Sequence, residues 1–109
     1  MNAEKFNWPK DLAPIIGRWE ANCIRNMTSK AAQVYSHRLQ FMWRRWPRKS
    51  KPSQVHVTDV NDYLADRLAE GAAFATVRTD LGVLSSFFNY LINELGMELD
   101  NPVVIPRRP

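Results

Sequence analysis

One cysteine, Cys23, and two histidines, His37 and His56, are the only thiol and imidazole side chains in the 109-residue chain. A single thiol excludes an internal disulfide, and these side chains fall short of the four ligands of a structural zinc site. No metal and no cofactor are expected. Apolar runs are short too: none approaches the ~18 to 20 residues of a membrane span. The opening Met1-Asn2-Ala3-Glu4-Lys5-Phe6 lacks the charged-then-apolar order of a secretory signal. The expectation is a cytoplasmic chain with no membrane partner, and its length provides for one hydrophobic core rather than a multidomain enzyme.

Alternation of period two is also missing, whereas apolar residues recur at helical spacing almost throughout. The spacing predicts an all-α domain with helices over about 12–25, 28–46, 58–70 and 74–95. The first, with Pro9 or Pro14 near its first turn, buries Leu12, Ile15, Ile16, Trp19 and Cys23. Thr28 or Ser29 supplies the N-cap of the second, which Pro47 stops. Its apolar stripe is Ala31, Tyr35, Leu39, Met42 and Trp46, opposite Lys30, Gln33, His37, Gln40 and Arg44. The third starts from Thr58 as N-cap, packs with Val60, Tyr63, Leu64 and Leu68, and ends at Gly71. The fourth, the expected spine of the core, aligns Val77, Leu81, Leu84, Phe88, Leu91 and Leu95 and stops at Gly96. Its other face carries short side chains, among them Ala75, Thr79, Gly82, Ser86, Asn89 and Asn93, which let a groove or another helix approach closely.

The net charge of +4 hides a division. Residues 21–58 hold Arg25, Lys30, Arg38, Arg44, Arg45, Arg48, Lys49 and Lys51 and no acid, while residues 59–109 hold eight acids against four bases. A basic half of this kind suits a phosphate backbone, and its bland alternative is a solvated basic face. On the third helix Asp59, Asp62, Asp66 and Glu70 form a carboxylate stripe that a polyanion would repel, so that face is expected to point away from nucleic acid.

Several segments together resemble a known pattern. Thr28, Ala31, Tyr35 and Leu39 open the second helix. Val57-Thr58-Asp59-Val60 with Tyr63-Leu64 starts the third. Gly71, Ala73, Thr76, Val77, Leu81, Leu84, Phe87, Phe88, Tyr90, Leu91, Asn101 and Pro102 run in register through the fourth and beyond it. From about Leu12 onward the chain resembles the SAM-like N-terminal core-binding domain of tyrosine recombinases and phage integrases of the Xer and integrase type. It departs from that pattern at Thr28 and Ala31, where Ser and Thr are usual, at Ala73, where Ser is usual, and at Thr79 and Ser85, where bases are common.

The resemblance implies a compact four-helix core-binding domain over residues 1–105, with 106–109 beginning a linker to a catalytic domain absent from this chain. It also implies a clamp on one face of double-stranded DNA, the N-terminal halves of the second and fourth helices entering the major groove, and contacts with other recombinase protomers in a synaptic complex. Carried over by position, the DNA-facing residues are Thr28, Ser29, Lys30, Gln33 and His37, then Ala75, Thr76, Arg78 and Thr79. Arg44, Arg45, Arg48, Lys49 and Lys51 are assigned to phosphate. Gln33 suits adenine and Arg78 suits guanine in bidentate pairing.

The family's nucleophile is a tyrosine set among Arg, Lys and His. Tyr35, Tyr63 and Tyr90 lie on or beside apolar stripes without that constellation, so they are expected to be structural and the fragment is not expected to cut DNA. Trp46 belongs to the core stripe, and His56 to a surface loop. The alternative function is a helical protein-interaction module mediating protomer contacts.

Overall fold

The computed structural model describes residues 6–106. The expectations for residues 1–5 of the domain and for the linker past Pro106 fall outside the described residues. Four helices occur in order, α1 (Ala13–Asn26), α2 (Ser29–Trp43), α3 (Val57–Ala69) and α4 (Phe74–Asn93), with one 3₁₀ turn, Pro52–Gln54, between α2 and α3. No strand occurs among the described residues. The domain is all-α, as the periodicity requires.

The Pro9 carbonyl accepts from the backbone N–H groups of Leu12 and Ala13 at 2.9 and 3.0 Å, turning the chain into α1. Pro14 sits in the first turn, where a missing N–H loses no helical partner. Leu12, Ile16, Trp19 and Cys23 are buried on the predicted stripe, with Ile15 packed beside them. Thr28 caps α2, its Oγ1 accepting from Ala31 N at 3.1 Å.

Of the expected stripe Leu39, Met42 and Trp46 are buried, whereas Ala31 and Tyr35 are only half-buried and Ala32 and Trp43 are buried beside the others. Two polar ties fix this rotation: Ser36 donates to the Glu20 carboxylate on α1, and Arg38 reaches Asp80 on α4. Trp43 tolerates full burial because its indole N–H donates to Lys49 O at 3.0 Å. The helix also ends three residues short of the expected Trp46. Arg45 N and Trp46 N bond back to Met42 O and Trp43 O at 3.1 and 2.8 Å, a tightened last turn. Pro47 bars the residue before it from helical backbone.

For α3 the cap is His56 rather than Thr58, and the helix begins at Val57. Asp59, within the first turn, accepts from His56 N at 2.8 Å and so satisfies an orphan amide from inside the helix. Leu68 is 40% exposed instead of packed. The buried seam of α3 continues from Tyr63 to Arg67, whose guanidinium stacks over the Phe41 ring at 4.9 Å. Gly71, with φ 95°, ends the helix in a Schellman turn: Gly71 N bonds to Leu68 O at 3.1 Å and Ala72 N to Arg67 O at 3.0 Å.

As the spine, α4 packs against all three other helices. Val77, Leu81, Leu84, Phe88 and Leu91 are buried, and Phe87 meets Trp19 and Trp43 edge-on at 5.4 and 6.1 Å between ring centroids. Each such side chain contributes roughly 1.5–3 kcal/mol by leaving water. Past the helix, Asn101 Nδ2 donates to Ser85 Oγ at 3.0 Å and to Asn89 Oδ1 at 3.1 Å, and its Oδ1 accepts from Val103 N at 2.9 Å. The tail therefore runs back along α4, against its direction, and Ile105 lines one groove with Ala75 and Gly82. It covers part of the short-side-chain face.

Candidate nucleic-acid interface

Packing of one face of α2 against α1 and α4 leaves Thr28, Ser29, Lys30, Gln33 and His37 exposed on the opposite side. On α4 the N-terminal half presents Ala75, Thr76, Arg78 and Thr79, all exposed. A groove of about 640 Å³ runs there, lined by Phe74, Ala75, Arg78, Thr79, Gly82 and Ile105. The Thr79 hydroxyl donates to Ala75 O at 3.0 Å, so it faces any partner as an acceptor.

Arg38 on α2 and Asp80 on α4 bring the two segments into relation. Arg38 Nε and Nη2 donate to Asp80 Oδ1 and Oδ2 at 2.6 and 2.8 Å, and the Tyr63 hydroxyl donates to Oδ2 at 2.7 Å. Asp80 is fully buried. Burial, followed by the Asp80 carboxylate, pushes the Tyr63 phenol well above its ordinary range, the opposite of what a nucleophile needs. Tyr35 packs beside Trp19, and Tyr90 is half-buried against the core.

The cations divide into two groups. Arg45 donates twice to Glu70, at 2.8 and 2.7 Å, and stacks over Phe41 and Tyr63. Lys49 donates to Gln54 O at 2.7 Å and stands 3.3 Å from Asp59. The side-chain hydrogen bond from Arg45 is the main cause that lowers Glu70 to about 2. Burial opposes the charged form of Asp59, yet the His56 amide and Lys49 outweigh it and hold its carboxyl below the ordinary value. In contrast, Lys30, Arg44, Arg48, Lys51 and Arg78 make no ion pair among the described residues. Arg44 is exposed with its guanidinium over the Phe6 ring at 5.0 Å.

The acidic stripe of α3 lies against the basic stretch. Its first and last members neutralise two of the cations expected to meet phosphate, while Asp62 and Asp66 stay exposed beside Arg45. Asp80 is the residue that sequence reasoning missed. Its signal was readable: an acid at the core register of an apolar helix, between Val77 and Leu84, demands a buried partner.

Among the described residues no group of three or more His, Cys, Asp or Glu side chains is placed to hold a metal ion, and no helix is long and apolar enough to cross a membrane. No protein-family model, curated protein or solved structure matches the chain.

Proposed function

We propose that the chain is a helical domain that binds duplex DNA. More particularly, it serves as the core-binding domain of a site-specific recombinase of the tyrosine recombinase and integrase class. In that role it supplies affinity and site choice, meets other protomers in a synaptic complex, and leaves strand cleavage to a separate catalytic domain. A cytoplasmic, nucleoid-associated location follows from the same reading.

The supporting observation is the distribution of uncompensated charge. Lys30, Arg44, Arg48 and Lys51, on α2 and the loop after it, make no ion pair among the described residues, and Arg78 stands on the exposed half of α4. The same two helices expose Gln33, His37, Thr76 and Thr79, short or planar polar groups suited to base edges. The cations supply the positioning contacts and the polar groups the reading.

Binding to a duplex measured against salt tests this. Five phosphate contacts at about 0.9 each give a log–log slope of roughly −4 to −5. A response flat in salt rejects the reading. A second reading, a module for protein contacts, draws on the small-residue groove of α4, and light scattering across concentration separates the two. A monomer at high concentration that retains DNA binding leaves the first standing.

A further inference from the structure

We propose that Asp80 is a positioning residue for duplex recognition: by clamping Arg38 it sets the angle at which α2 and α4 present their recognition segments. This rests on the DNA-binding reading above.

The node lies behind the recognition residues on both helices. Arg38 follows every recognition residue of α2, which span Thr28 to His37, and Asp80 follows every one on α4, which span Ala75 to Thr79. Each recognition segment therefore lies N-terminal to the point where its helix is tied to the other, and on α2 the Ser36 bond to Glu20 adds a second hold on the same segment. With a rise of about 1.5 Å per residue, the segment from Arg38 to Thr28 is about 15 Å long. A 10° change at the node moves its tip by about 2.6 Å, several times the ~0.5 Å spread of a good hydrogen bond. Base reading by both segments at once is unforgiving of such drift.

The node is built to resist it. Two parallel N–H···O bonds, from Nε and Nη2, fix the guanidinium plane against the carboxylate, which a single contact would not do. The Phe41 ring supports that plane from its face, 4.6 Å from the guanidinium carbon. Tyr63 adds a third bond from α3, so the carboxylate is held by two helices while it sits on a third. Ridge-and-groove packing fixes the class of crossing, with roughly 15–20° of spread from one helix pair to another, so a particular angle within the class needs a particular contact.

The test uses Asp80→Asn, which keeps the volume but forfeits the paired charge, with Arg38→Lys as the milder variant should the first not fold. Residual dipolar couplings of backbone amides report the crossing without any DNA. In the native domain α2 and α4 are expected to fit one alignment tensor, and in the variant they are expected to need two. In binding assays on variants shown folded by circular dichroism, the salt slope is expected to stay unchanged while preference among duplex sequences falls at least tenfold. A native crossing in both variants overturns the proposal, as does a loosened crossing with preference intact. Failure of the native domain to bind any duplex rejects the DNA-binding reading instead, while the couplings still decide whether Asp80 sets the crossing.

Discussion

Arg45 and Arg48 stand close together in one basic stretch, yet they offer different charge to an approaching polyanion. Arg45 is held by Glu70 in a two-bond pair, and Arg48 is exposed with no ion pair among the described residues. Replacing Arg48 by Ala should reduce the magnitude of the salt slope by about 0.9, and replacing Arg45 should leave it nearly unchanged, since no counterion is released by a cation already neutralised. Equal losses in salt titrations of the two variants would contradict the division of cations. Gln33→Ala should instead relax preference at a single base pair, by roughly 1–3 kcal/mol, without altering the slope. Counting charges along the sequence overstates the free ones, because the partners come from afar: Glu70 lies 25 residues from Arg45 and Asp80 lies 42 from Arg38. Only the packing of α3 and α4 against α2 brings them together.

At the scale of the element, local chemistry was readable wherever it was strong. The Thr28 cap, the Gly71 turn and the apolar face of α4 follow from side-chain oxygens, positive φ and three-four spacing. The rotation of α2 was not readable, because residues on either side of its stripe are apolar enough to be buried and two cross-helix polar ties decide between them. The start of α3 was misplaced for a related reason. Asp59 reaches back to cap His56, which makes the acid, rather than Thr58, the side chain that defines the boundary.

That acid carries a consequence for pH. Asp59 titrates below its ordinary 3.8 in the folded state. Its contribution to α3 is therefore present above the unfolded value and is lost as pH falls through the folded one. Protection factors at the amides of the first turn of α3, taken against intrinsic exchange at each pH, should fall as pH drops below about 4. Asp59→Ala should remove that component at a cost of about 1 kcal/mol. An acid-independent protection pattern in the native domain would contradict the cap.

For the whole molecule, the helical period alone led to a four-helix architecture. The proposed interface was legible only in outline, as a face of α2 and a basic loop. Which cations are spent on intramolecular pairs, and how the tail from Asn101 to Ile105 lies over the short side chains of α4, depend on tertiary packing. The buried Asp80 node was open to inference from its register but not to assignment, since Arg38 and Tyr63 come from different helices. One further consequence follows from Cys23, which is 3% exposed on the core side of α1. Burial, and then the neighbouring Glu20, raise its pKa, so both access and thiolate are scarce while the bundle is closed. The chain thus contains a chemical clock for its own opening: alkylation of Cys23, followed by mass spectrometry, should proceed only as fast as the helices part. The same clock should run faster in Asp80→Asn.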